Sequence, residues 1–203
     1  MHTFSGAESV RFGWETFKKR PWFLAGATLL YMVLVGVVSA ILVKLGGGNP
    51  VLALILTAIR IVFDLFAAMG FIAFSLKAHD DIEAASLKDF WHPQDFLKFL
   101  GAIVAQILVI VAGIILLVIP GIVLSVSLKF SPYFVVDRGA GPIESLFESA
   151  RITRGKKWAV FQFLALLAVV VLAGVFALIV GVVAAVPVVS IATAHAYRTL
   201  SRA

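Results

Sequence analysis

"IPGIVLSVSLKFSPYFVVD", residues 119–137, is the stretch on which the reading turns. It is almost wholly apolar, yet Lys129 stands in its middle, bracketed by Pro120 and Pro132, and Asp137 closes it. About 20 apolar residues are needed to cross a bilayer, because the hydrocarbon is ~30 Å thick and each helical residue rises ~1.5 Å. The apolar part here, 121–136, falls short of that. It reads as a short span or as part of a re-entrant hairpin.

Working outward, the blocks 23–43, 51–76 and 96–118 upstream are each long enough to cross. Downstream, 158–197 is a continuous apolar run of 40 residues. One straight helix of that length would reach roughly 60 Å, so it suits two spans folded back on each other, about 158–180 and 186–201. The turn is expected between Val180 and Pro187, with Pro187 in the first turn of the last helix. The predicted fold class is all-α: one polytopic membrane helical bundle over 1–203, with about six transmembrane helices. Composition agrees. The chain is 62% hydrophobic and 14% charged, with a mean hydropathy of +1.07. Soluble domains lie nearer ~45–50% apolar and ~25% charged.

Lysine and arginine set the expected orientation. Of the 17, only Lys44 falls in a connection on one side, and Arg60 and Lys129 fall within spans. All the others lie before the first span, in the link 77–95 with Lys98, in 137–157, or in the tail. An even number of spans with both termini cytoplasmic follows, in the cell membrane. Residues 1–22 are polar and amphipathic, so the first span is expected to be a retained anchor rather than a cleaved leader. Topology and attraction to anionic lipid headgroups account for the basic excess without nucleic acid. Lys18, Lys19, Arg20, Arg151, Arg154, Lys156 and Lys157 are the expected lipid contacts.

Three cytoplasmic segments read as interfacial amphipathic helices, about 6–19, 81–91 and 142–154. Ser5 and Glu8 have capping-box spacing, and Val10, Trp14 and Phe17 form the expected apolar face of the first. Asp80 and Glu83 are candidate caps for the second. In the third, Pro142 opens the helix, Ile143, Leu146, Phe147 and Ala150 make one face, and Gly155 stops it. These helices serve either as seals between spans or as a docking face for lipid or a partner protein.

No catalytic constellation is visible. There is no cysteine, and His2, His79, His92 and His195 are scattered, so neither a metal site nor a cofactor is expected. Gly46-Gly47-Gly48 lacks the Lys-Ser/Thr of a phosphate loop and reads as a turn. The most informative polar residues are Arg60, Asp64, Gln106 and Lys129, all at span depth. Intramembrane charge normally faces the bundle interior or water. Arg60 and Asp64, four apart, can pair on one helix face. For Lys129 two readings stand: inward, toward Asp64 or a wet cavity, or snorkelling to the interface. Small residues recur every four positions at Ala173, Ala177, Gly181 and Ala185, and at Gly101 and Ala105, which suits close helix packing or contact between copies.

"GWETFKKRPWFL" at 13–24, "IPGI" at 119–122, "SPYFVVDRGAGPIESLFESARITRGKKW" at 131–158 and "HAYRTL" at 195–200 give a resemblance. The chain resembles the YciC/DUF975-type bacterial membrane proteins, related to the membrane domain attached to some glycerophosphodiester phosphodiesterases. Pro132, Asp137, Glu144, Leu146, Ser149, Arg154, Gly155 and Trp158 match its most specific pattern. The resemblance implies a six-span helical membrane protein. It carries no phosphodiesterase chemistry, since that domain has no counterpart here. The expected role is non-enzymatic: a scaffold, an accessory subunit or an envelope-homeostasis factor, with a membrane-protein partner or a second copy as possible company. The competing expectation is a small transporter or channel using Arg60, Asp64 and Lys129.

Overall fold

The helices begin and end where local chemistry dictates. Ser5 caps α1 (Gly6–Lys19), its hydroxyl accepting from the Glu8 N–H. Pro21 opens α2 (Pro21–Gly46) directly after Arg20. Asn49 caps α3 (Pro50–Asp80), its side-chain oxygen accepting from the N–H groups of Val51 and Leu52 at 3.0 and 3.1 Å. These bonds satisfy donors that the first helical turn leaves unpaired. Then come α4 (Phe96–Leu116), α5 (Val118–Ser127), α6 (Ser131–Arg138), α7 (Pro142–Thr153), α8 (Lys157–Phe176) and α9 (Leu178–Ser201). The computed structural model describes residues 4–202, apart from the side chains of 178–180. Among the described residues there is no strand, and six helical stretches are long and apolar enough to cross a membrane. This is the build of a multi-pass membrane protein.

Three of the expected boundaries move. The segment 81–91 is not an α-helix. α3 runs on to Asp80, and the link beyond it is an Asx turn at Asp81 and a short 3-10 turn at Leu87–Phe90. Asp80 therefore ends a helix instead of capping one. The α8–α9 turn lies at Ala177, before the expected window, and Pro187 sits inside α9. There Gly174 and Gly181 meet so closely that a methyl group on Gly181 would lie 2.3 Å from the Gly174 carbonyl oxygen. That contact fixes where the hairpin closes; proline alone does not. Finally, 121–136 is two helices, α5 and α6, separated by a break at 128–130.

The break results from Pro132. A proline has no N–H, so the Leu128 carbonyl cannot take its usual helical partner. It accepts instead from Ser131 N–H at 3.1 Å, one residue early. That leaves the Ser127 carbonyl without its own partner. Ser149 of α7 donates to it at 2.8 Å and Thr153 at 3.3 Å, while the Ser149 hydroxyl also accepts from Phe130 N–H at 3.1 Å. Ser131 and Ser145 join hydroxyl to hydroxyl at 2.8 Å. The polar face of α7 is thus the one packed against the bundle. Ser145, Ser149 and Thr153 are fully buried, while Ile143 and Phe147 are 57% and 72% exposed. Of the expected face, Leu146 is buried and Ala150 half-buried.

α1 also packs a face of small and polar residues against the bundle. Ser9, Gly13, Thr16 and Phe17 are buried, and Trp14 is exposed. Gly13 allows this: a side chain there would strike the Val188 carbonyl at 2.5 Å, so α1 lies directly on the α9 backbone.

Burial is uneven along the molecule. The large buried side chains, among them Phe74, Phe99, Phe130, Phe134, Phe163 and Tyr197, gather toward the end that carries the basic links. Toward the opposite, distal end the exposed surface is apolar: Leu29 to Leu45 on α2, Val51 to Val62 on α3, Val104 to Leu116 on α4 and Val169 to Phe176 on α8.

Candidate functional site

At the basic end the termini of α3, α6 and α9 converge on one polar junction. Arg198, in the last turns of α9, grips Asp80 at the end of α3 through two bonds, Nη2–Oδ2 at 2.6 Å and Nε–Oδ1 at 3.1 Å. Its third nitrogen donates to Asp137 Oδ2 of α6 at 2.7 Å. The Tyr197 hydroxyl donates to the same oxygen at 2.8 Å. The planar guanidinium suits this work, offering a rigid fork for one carboxylate and a spare N–H for another. The Arg198 side chain is only 18% exposed and that of Asp137 14%.

The chain of bonds continues on the far side of Asp80. His79 Nδ1 lies 2.8 Å from Asp80 Oδ1, and His79 Nε2 lies 3.1 Å from His195 Nδ1. With neutral rings, the tautomers that satisfy both contacts put a proton on each Nδ1: His79 donates to the carboxylate, and His195 donates to His79. Phe12 of α1 covers the pair, stacked on His195 at 4.2 Å and tilted against His79 at 4.9 Å. Three helices therefore share one network running Tyr197–Asp137–Arg198–Asp80–His79–His195, and α1 lies over its end. Nearby, Lys98 bonds Asp95 at 2.8 Å and the Gly139 carbonyl at 3.0 Å, tying the start of α4 to the end of α6. Gly139 ends α6 with a φ of 63°, a left-handed conformation that glycine adopts without strain.

Sequence reasoning missed this junction. Its partners on different helices lie 60 to 118 positions apart, and no local spacing links them. The available signals were weak: Asp137 directly after an apolar block, and "HAYR" at 195–198, where three polar or aromatic side chains close an otherwise apolar helix.

The residues that sequence reasoning did single out are scattered. Arg60 and Asp64 pair at 3.7 Å, and Ser39 of α2 donates to Asp64 at 3.2 Å. Gln106 is elsewhere, its side-chain oxygen buried without a partner. Lys129 lies in the α5–α6 break, exposed, and pairs with no carboxylate among the described residues. The inward pairing with Asp64 is therefore corrected: the break turns Lys129 out of the bundle. Among the expected lipid contacts, Lys18, Lys19, Arg154 and Lys157 are exposed and Lys156 is half-buried. Arg151 is exposed but pairs with Glu148, and Arg20 donates to the carbonyls of Ile82 and Glu83. His2 lies outside the described residues.

Residues 40–201 match the model of a domain of unknown function, DUF7847. The chain belongs to that family. The DUF7847 match contains every acidic and basic member of the junction and the whole α5–α7 assembly, and it leaves out α1. No curated protein and no solved structure matches the chain.

Proposed function

We propose that this DUF7847 protein is a non-enzymatic multi-pass protein of the cell membrane, a scaffold, accessory subunit or envelope-homeostasis factor, with both termini cytoplasmic. The observation that carries this reading is the junction itself. Its carboxylates, guanidinium, phenol and imidazoles bond to one another, which is the chemistry of a latch holding α3, α6 and α9 together beneath α1. Support for the orientation is the basic excess at that end, since lysine and arginine are retained on the cytoplasmic side. Kinship with the YciC/DUF975-type proteins belongs to the same proposal, supported by the motif at 131–158. The transporter reading has less behind it, because Lys129 does not join Arg60 and Asp64.

Two measurements test this. Reporter fusions at Gly48 and Leu117 are expected to read as external, and fusions at Gly141 and Ala203 as cytoplasmic. An external Gly141 would sink the orientation, because it would put the basic 137–157 link across the membrane. Liposomes holding the purified protein are expected to show no protein-dependent flux of protons or small ions. A flux abolished by Asp64→Asn would replace the scaffold reading with the transporter one.

A further inference from the structure

Between α2, α3 and the 3-10 turn lies an apolar groove of about 320 Å³, lined by Tyr31, Leu34, Phe66, Ala67, Phe90 and Trp91 among others. Its volume falls within the range of small-ligand sites. The walls are held in place by aromatic contacts. Trp91 meets Phe66 edge-on at 5.3 Å, and Phe90 lies 5.9 Å from the Tyr31 ring. Gly70 lets the Phe90 backbone come against α3; a methyl there would lie 2.1 Å from the Phe90 carbonyl oxygen. The groove runs without interruption into the exposed apolar belt, because Leu30 and Leu34 belong to both. Whatever enters it therefore enters from the hydrocarbon.

The rim decides what that occupant is. Trp91 is 71% exposed at the end of the groove nearest the basic links, where an indole sits at headgroup level. The turn's hydrogen bonds, Asp89 N–H to the Ser86 carbonyl and Trp91 N–H to the Lys88 carbonyl, hold Leu87–Phe90 in a single tight turn that ends in extended backbone at Trp91. Lys88 is exposed on this same turn, between Leu87 and the Phe90–Trp91 pair that line the groove. Most acidic neighbours are occupied elsewhere; among the described residues the carboxylate of the exposed Glu83 is not, and it does not pair with Lys88 either. Asp81 accepts from the N–H groups of Glu83 and Ala84, Asp89 from Ser86, and Asp95 pairs with Lys98. Among the described residues no carboxylate pairs with the exposed Lys88. An exposed lysine without a carboxylate partner, on the turn that walls an aromatic groove open to lipid, is complementary to a phosphate with a hydrocarbon chain beneath it.

We propose that this groove binds one anionic phospholipid, with an acyl chain between α2 and α3 and its headgroup phosphate on Lys88. The test is native mass spectrometry of the full chain purified with equal amounts of phosphatidylglycerol and phosphatidylcholine. One phosphatidylglycerol retained per chain is the expected result. Lys88→Gln is expected to lower the phosphatidylglycerol-to-phosphatidylcholine ratio about five-fold, the effect of one lysine at a membrane surface. Ala67→Phe fills the groove and is expected to abolish retention of either lipid. Equal retention of the two lipids by the unmodified protein, or retention that neither replacement changes, overturns the proposal. Should Ala67→Phe fail to fold, the unmodified protein supplies a second measurement. The emission lost on Trp91→Phe should be quenched more strongly by chain-brominated phosphatidylglycerol than by chain-brominated phosphatidylcholine, and equal quenching overturns the assignment.

Discussion

α9 and the α2–α3 hairpin are both apolar enough to cross a membrane, yet they do opposite jobs. Half of the most apolar window in Gly181–Ser201 is buried, and none of that in Pro50–Asp80 is. α9 packs against α1, α2, α3 and α8, whereas the distal part of α3 meets little besides α2. The difference teaches that hydropathy reports which segments can cross, while small residues and charges at helix ends report which of them pack. In lipid an apolar side chain gains little by leaving hydrocarbon for protein, so helices associate through close packing and polar bonds. α9 has both, in Ala192 on Gly13 and in Arg198 on two carboxylates. The distal hairpin has less: Gly46 close to Ala53, the Ser39–Asp64 bond at 3.2 Å between its helices, and a loose ion pair at 3.7 Å within α3.

The comparison breaks most sharply at Arg198. Arg198→Met leaves Asp80 and Asp137 without their shared cation in a half-buried site. Removing one partner of a buried pair typically costs about 3–5 kcal/mol. The lower end, about 3 kcal/mol, is expected here because Asp80 is 41% exposed. Thermal unfolding in detergent measures it. A loss no larger than that of Arg60→Met, made in the distal hairpin, would mean that the junction is not what distinguishes the two regions.

The α7 hydroxyls give a smaller and more local effect. Ser149→Ala with Thr153→Ala leaves the Ser127 carbonyl and the Phe130 N–H unpaired, and each stranded buried group costs about 1–3 kcal/mol. The double replacement is expected to destabilise by about 2 kcal/mol. Restoring the helical bond by Pro132→Ala should offset part of that loss, because Leu128 regains its own partner and Ser131 returns to Ser127. Identical losses in both backgrounds would show that α7 does not serve the break.

The legibility of the molecule in its sequence divides along the same line. The spans were readable because they form long, mostly apolar blocks, and α1 and α7 because Ser5, Pro142 and Gly155 mark helix ends. What their polar faces pack against was not. Ile143 and Phe147 need no protein core beside lipid, while the buried backbone groups at the break need Ser149 and Thr153. The 81–91 segment failed because the Asp81 and Asp89 carboxylates accept from nearby backbone N–H groups and so favour turns over helix. Charges inside spans stand out in a sequence, whereas Asp80, Asp137 and Arg198, at span ends, look like ordinary topology markers.

The smallest effect expected is the one that separates the two regions cleanly. Lys129 belongs to the packed end, in the α5–α6 break, and Asp64 to the distal hairpin. Lys129→Met and Asp64→Leu each change stability by their own mechanism: the first removes an exposed charge, the second frees Arg60 from its partner and Ser39 from its acceptor. Sites without shared partners add to within about 0.3–0.5 kcal/mol. The double mutant is therefore expected to lose the sum of the single losses within that margin. Arg60 complicates the comparison, because it can keep Asp64 paired when Lys129 is gone, so the cycle is repeated in an Arg60→Met background. Additivity in both backgrounds leaves the packed end and the distal hairpin as energetically separate parts. A coupling above about 1 kcal/mol in the second would mean that Lys129 reaches Asp64 in solution, and that the break at 128–130 opens inward as well as outward.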